Sequence, residues 1–113
     1  MSDCVFCAIV AGTVPAEVLQ RSEHAIAIRD LNPQAPTHVL VIPTRHAAHL
    51  SEFLALAGEA EAGALLSLAS RIGASAPGDG YRVVVNEGTD GGQTVAHLHL
   101  HVLAGRGLRW PPG

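Results

Sequence analysis

Residues 25–30 (AIAIRD) alternate apolar with other positions, the period-two pattern of a half-buried strand. The stretch that follows, LNPQAPT, holds two prolines and an asparagine and predicts a loop. Residues 38–42 (HVLVI) are rich in β-branched side chains and stop at Pro43, which predicts a second strand. Ser51, ahead of a short apolar run, is placed to cap a brief helical turn. From 58 to 76 the period changes, with Leu65, Leu68, Ala69 and Ile72 at i, i+3, i+4 and i+7 on one helical face. APGDG at 76–80 ends that helix, and 81–86 (YRVVVN) predict a strand. A glycine-rich loop, EGTDGGQT, leads to 97–103, where histidine alternates with aliphatic residues. Strand, strand, helix, strand, strand is not the regular alternation of a doubly wound fold. It predicts an α+β domain over 1–113, an antiparallel sheet with one main helix on a face.

Composition narrows the partners. The chain has 113 residues, 48% of them hydrophobic, enough for one core, but a domain this short leaves much surface exposed, so pairing with a second copy would help. The net charge is −3 and lysine is absent; the seven arginines, at 21, 29, 45, 71, 82, 106 and 109, are scattered. No electrostatic footprint for nucleic acid or an anionic membrane follows. No apolar run approaches the roughly 18 to 20 residues of a membrane helix. The opening MSDCVFCAIV carries an acid where a secretory signal has a positive charge, so a cytoplasmic location is expected.

The segment 97–103, HLHLHVL, carries the chemistry. On a strand, His97, His99 and His101 share one face while Leu98, Leu100 and Val102 share the other; on a helix this spacing would scatter them. The outer two histidines would lie about 13 Å apart at roughly 3.3 Å per residue. A polar surface strand, a metal cage and phosphate chemistry all fit three imidazoles at period two. Neutral imidazole is a nucleophile, and its cation partners phosphate. The preceding loop, with Asn86, Gly92, Gln93 and Thr94, favours phosphate: its glycines let backbone N–H groups approach an oxyanion, and Thr94 adds a donor.

These residues resemble a known family. HLHLHVL matches the H-φ-H-φ-H-φ-φ motif of the histidine triad (HIT) superfamily. The string NEGTDGGQTVAHLHLHVLAGRGLRWPPG is similar to the Hint branch, the histidine triad nucleotide-binding proteins. The likeness extends through DLNPQAPTHVLVIPTRH and CVFCAIVAGTVPAE, nearly the whole chain. The resemblance implies a five-stranded antiparallel sheet with a main helix and a short helix, and a homodimer that joins two such sheets into one. It implies hydrolysis of purine nucleoside phosphoramidates, such as adenosine 5′-phosphoramidate, to the monophosphate. By position, His99 would be the nucleophile that attacks the α-phosphorus, and His101 and His38 would bind and polarise the phosphate. Thr94, where the family usually has serine, would stand near the leaving amine. Asp30 would hold the ribose hydroxyls; Val5, Phe6, Ile9, Ile28 and Leu31 would sandwich the purine. Asn86, Gly92 and Gln93 would belong to the phosphate loop, and Trp110 would reach toward the partner's site. The residues alone give plainer readings: Asp30 as an Asx-turn former, Phe6 and Ile28 as core, Trp110 as a tail anchor. Neighbouring activities remain open, namely dinucleoside polyphosphate hydrolysis, nucleotidyl transfer, a nucleotide-binding regulatory role, or a catalytic ion on the triad.

Cys4 and Cys7, at C-x-x-C spacing, are open to three readings: zinc ligands, a redox pair, or idle thiols. No βαβ context supports the redox pair. Many bacterial relatives in the family pair such cysteines with the histidine after the Ile-Pro strand end and with the first triad histidine. That resemblance implies structural zinc on Cys4, Cys7, His46 and His97, with none needed for catalysis. His24 and His49 have no matching role and are expected to be solvated.

Overall fold

The computed structural model describes residues 4–113, so the acid at position 3 lies outside it. Among the described residues the order is α1 (Val5–Ala11), β1 (Val18–Arg21), β2 (Ala25–Arg29), β3 (Thr37–Pro43), α2 (Leu50–Ser75), β4 (Tyr81–Val85) and β5 (Leu100–Ala104). The strands form one sheet ordered β1-β2-β3-β5-β4, antiparallel at every pairing. The α+β expectation with a five-stranded antiparallel sheet holds.

Alternation sorts the side chains onto two faces. Ala25, Ala27, Val39, Val41, Leu98, Leu100 and Val102 pack with Phe53, Leu65, Leu68 and Ala69 of α2. Ile26, Ile28, Leu40 and Ile42 pack on the other face with Phe6 and Ile9 of α1. Residues 25–28 are therefore buried on both sides rather than half-buried, because α1 covers the face that alternation alone leaves to solvent. The α1 cover stops short of β5 and β4. There His101, paired beside Leu40 and Val84, opens onto the uncovered half of that face.

Several boundaries differ from expectation. The turn assigned to Ser51 is the start of α2, and its cap is His49, whose ring nitrogen accepts the Glu52 N–H while Glu52 returns a bond to the Ala48 N–H. His49 is thus a capping residue, not a merely solvated one. Gly58 interrupts α2 at φ 79°, ψ −176°, a conformation that favours glycine, so the 58–76 pattern marks the second limb. The short helix is α1, not the turn at 51. One helix, α2, is long and apolar enough by length and composition to span a membrane, contrary to the apolar-run reading. It carries the Gly58 break and Glu52, Glu59 and Glu61, and its row Leu65, Leu68, Ala69 lies on the sheet. Strand β1 escaped the pattern because all four of its residues are exposed and its register shifts between Val18 and Gln20.

Candidate functional site

The histidine segment keeps its two faces but pairs over a shorter length than expected. Ladder pairing begins at Leu100, while residues 95–97 bend and 98–99 lie outside it. The bend takes His97 away from the other two. Its ring enters a cluster with Cys4, Cys7 and His46, whereas His99 and His101 stay adjacent, ring centres 5.1 Å apart.

Backbone partners fix the state of each imidazole. His99 Nδ1 lies 2.8 Å from the His97 carbonyl oxygen, which can only accept, so Nδ1 carries the proton and Nε2 presents a lone pair. The ring is buried and meets the edge of Phe6 at 5.0 Å between centres. The Gln34 backbone N–H donates to His38 Nδ1 at 3.0 Å, which puts the His38 proton on Nε2. That nitrogen faces His101 Nδ1 at 2.9 Å and an Asp30 carboxylate oxygen at 3.4 Å. The other Asp30 oxygen accepts the Asn32 N–H at 2.8 Å, the Asx turn anticipated for it.

Burial favours the neutral rings. His101 is pushed down to about 4, first by desolvation and then by the neighbouring His99 and His38. Desolvation also lowers His38, with Asp30 opposing, and lowers His97, with the bond to Pro43 opposing.

A cavity of about 260 Å³ is lined by Val5, Phe6, Ile9, Ile28, Asp30 and Leu31, with Val14, Pro15, Ala16, Arg29 and Leu40; Phe6 in its wall also meets the His99 ring. Its wall is apolar, with the Asp30 carboxylate as an acceptor at the rim, the pattern of a small-molecule site. All five residues expected around a flat base line it; Leu31, 97% exposed, stands at the lip.

The glycine loop differs from the expected phosphate cradle. The N–H groups of Gly88, Gly92 and Gln93 donate within the loop, to Gln93 Oε1, Thr89 O and Gly88 O. Asn86 donates to Gly91 O, and the Gln93 amide donates to the carbonyls of Ala48 and Val95. A Cβ at Gly91 would collide with the Glu87 carbonyl, so the tight turn requires glycine there. Asn86, Gly92 and Gln93 thus hold the loop's shape. Thr94 stands exposed near Cys4 and Val5, and Trp110 is 82% exposed at the far end of the chain. Glu87 was missed by sequence reasoning. It accepts the Ser51 N–H and hydroxyl, which hold its carboxyl below the usual range and tie the loop to the start of α2. No spacing signal marks that pair, 36 residues apart.

Two donor clusters can be tested for a metal. Sγ of Cys4 and Cys7 and Nδ1 of His46 and His97 all lie within 4.8 Å of one another, with the contacts of Cys4 to His97, Cys7 to His46 and His97, and His46 to His97 spanning 3.0 to 3.5 Å. Tetrahedral zinc with bonds of about 2.0 to 2.3 Å sets neighbouring ligands about 3.4 to 3.8 Å apart, an adjustment of a few tenths of an ångström. The bond on the far side of the His97 ring agrees. His97 Nε2 donates to the Pro43 carbonyl at 3.1 Å and leaves Nδ1 bare toward the thiols. Asp30, His38 and His101 also converge, but the proton pattern opposes a cation there. With the Gln34 N–H on Nδ1, His38 could ligate through Nε2 only as an imidazolate. The first set fits zinc and the second does not.

A HIT domain model matches residues 11–108. This chain belongs to the HIT family. It is 45% identical over 112 residues to an uncharacterised HIT-like protein of Synechococcus elongatus, covering 98% of this chain and 97% of that one. A HIT family hydrolase from Legionella pneumophila superposes with a TM-score of 0.91 at 39% identity, covering 98% of this chain and all of that one. A zinc-bound histidine triad protein from Mycobacterium smegmatis superposes with a TM-score of 0.82 at 33% identity, covering 92% of this chain and 76% of that one.

A pH prediction follows from the buried rings. A histidine whose folded pKa is depressed is neutral in the fold but takes up a proton on unfolding. Its contribution is therefore complete above the unfolded value and is lost as pH falls. For His101 the window runs from 6.5 down to about 4. Chemical denaturation at intervals across that window should show stability falling with pH, and His101→Gln should flatten the slope. An unchanged slope in the variant would remove His101 as its source.

Proposed function

We propose that this HIT protein hydrolyses purine nucleoside phosphoramidates, such as adenosine 5′-phosphoramidate, through a covalent nucleotidyl-histidine on His99. The observation that carries the reading is the bond from His99 Nδ1–H to the His97 carbonyl, which leaves Nε2 with a bare lone pair. Phe6, whose ring meets that of His99, also lines an apolar cavity suited to a flat base. The Asp30 acceptor at the rim suits ribose hydroxyls, and Phe6, Ile9 and Ile28 suit a purine face.

In the first step His99 Nε2 attacks the α-phosphorus, the phosphorus–nitrogen bond breaks, and the amine leaves with a proton taken up on the solvent side, near the Thr94 hydroxyl. The His97 carbonyl stabilises the imidazolium character that His99 gains, and no repositioning is needed. His101, neutral near pH 7, donates Nε2–H to a phosphoryl oxygen and is itself oriented by His38. In the second step water displaces His99 from phosphorus and releases the monophosphate.

Incubation with adenosine 5′-phosphoramidate and quantification of AMP should show steady release by the wild type. His99→Ala should lose at least about 10³-fold in turnover while still binding AMP. Retained turnover in the variant would reject the nucleophile. No release from either protein, with AMP bound by both, would reject the reaction.

Zinc on Cys4, Cys7, His46 and His97 is proposed as a structural ion. It would fasten the start of α1, which bears Val5, Phe6 and Ile9 of the cavity wall, to the segment entering β5. Elemental analysis of protein purified without chelator should give one zinc per chain, and none after Cys4→Ser with Cys7→Ser. The loss should cost about 3 kcal/mol where free zinc exceeds its Kd a hundredfold. Protein that folds with full stability and no zinc would overturn the assignment.

A homodimer joined through β4 is proposed on the edge position of that strand and on Trp110, whose ring stands 82% exposed. Light scattering should return the mass of two chains; a single-chain mass at micromolar concentration would dismiss the pairing. A cytoplasmic location accords with a thiol-rich zinc set, since thiols stay reduced there.

A further inference from the structure

The His38–His101 pair is polarised by the loop at 31–36, and that loop is clamped from the far side by an arginine that touches neither ring. Arg106 Nε donates to the Gln34 carbonyl at 2.8 Å, and its Nη1 donates to the Gly107 carbonyl at 2.9 Å. The approach is close. Gly105, at φ 97°, sits so near Pro36 that a Cβ there would lie 2.8 Å from the Pro36 ring. The turn after β5 is thereby pressed onto the loop before β3, bringing residues 72 apart in sequence together.

We infer that Arg106 is a positioning residue that sets the direction of the imidazole hydrogen bonds at the phosphate end of the site. With Gln34 fixed, its N–H donates to His38 Nδ1, so the His38 proton must stand on Nε2. Nε2–H then donates to His101 Nδ1 at 2.9 Å. A neutral His101 that accepts at Nδ1 carries its own proton on Nε2, as a donor. The chain Gln34 N–H, His38, His101 therefore ends in an N–H group. Reversed, with His38 protonated on Nδ1, it would end in a lone pair, which repels a phosphoryl oxygen. Asp30 Oδ2, 3.4 Å from His38 Nε2, reinforces the forward direction, because a carboxylate can only accept. Arg106 itself is exposed and does not line the cavity, so its influence passes through the Gln34 backbone, whose C=O it holds and whose N–H reaches His38.

The donor direction stands independently of the substrate, whereas its effect on rate rests on the phosphoramidate reading. Two-bond proton–nitrogen correlation spectra of ¹⁵N-histidine-labelled protein report which ring nitrogen bears each proton. In the wild type, His38 and His101 should both be protonated on Nε2 only. Arg106→Met should introduce the Nδ1–H form of His38 and lower kcat about tenfold, with KM changed by less than about twofold, the scale of one hydrogen bond. Arg106→Lys, which keeps a donor for the Gln34 carbonyl, should recover most of both. A wild-type His38 protonated on Nδ1, or unchanged ring protons in Arg106→Met, would overturn the inference. Ring protons that shift in Arg106→Met, in a protein whose wild type releases no AMP, would uphold the wiring and reject only the proposed reaction.

Discussion

The site depends on one short bond, from His99 Nδ1–H to the carbonyl two residues earlier. An imidazole offers two nitrogens and, when neutral, one proton, so whichever nitrogen is engaged decides what the other can do. A regular antiparallel ladder would have used the His97 carbonyl for pairing with a neighbouring strand. Because the chain bends at 95–97 and joins the sheet only at Leu100, that carbonyl is left to His99. The irregular entry to β5 is thus the condition for a bare Nε2, and it also turns the His97 ring toward the cysteines.

Helix α1 makes that arrangement a dry one. Seven residues long, it has too little intrinsic stability to stand alone and persists through what it packs on and what caps it. Cys4 caps its start, with Sγ accepting the Cys7 N–H, and Gly12 closes its end at φ 83°. Phe6 lies between the capping Cys4 and Cys7, the residue whose N–H that cap accepts. Its ring meets His97 and His99 edge-on while joining the core with Ile26, Ile28, Leu40 and Ile42. One side chain therefore takes part in the core, packs against the His99 ring and lines the cavity. Truncation there would disturb all three, and effects on binding and stability would not separate.

Wherever burial imposed a period, the sequence announced the element. The face Leu65, Leu68, Ala69 of α2 and the two faces of 97–103 came from spacing alone, and β3 and β4 from their β-branched runs. Strand β1 was silent because an exposed edge strand with a shifted register imposes no period, and α1 because seven residues are too few to show one. The doubly buried β2 looked half-buried because its small face, Ala25 and Ala27, meets α2 while its large face, Ile26 and Ile28, meets α1. Site residues emerged in two grades. Histidine spacing and family likeness pointed to His38, His99, His101 and the cavity wall. The groups that decide their protonation, the Gln34 N–H, the His97 and Pro43 carbonyls and the Arg106 clamp, are mostly backbone atoms, which every residue carries and no motif distinguishes. The roles of Ser51 and His49 were obscured for a related reason: a helix start offers several plausible caps, and the tertiary contact from Glu87 helps settle which residue serves.

The two histidine clusters lie on one segment yet differ in chemistry, and side-chain composition does not explain the difference. Each brings two histidines together with acidic or thiol donors. In one, the outer partner of the ring is a carbonyl: the His97 Nε2–H donates to Pro43, and the lone pair faces inward toward the soft sulfurs of Cys4 and Cys7. In the other, the outer partner is an N–H: Gln34 takes the His38 lone pair, and the proton faces inward. A lone pair pointing into a group of sulfurs is a metal ligand, whereas a proton pointing into a pair of rings is a link in a hydrogen-bond chain. Swapping the outer partners would exchange which cluster turns a lone pair inward, without changing a single side chain of either. The peptide groups behind the histidines thus decide which of two imidazole-rich clusters on one segment turns a lone pair, and which a proton, toward its centre.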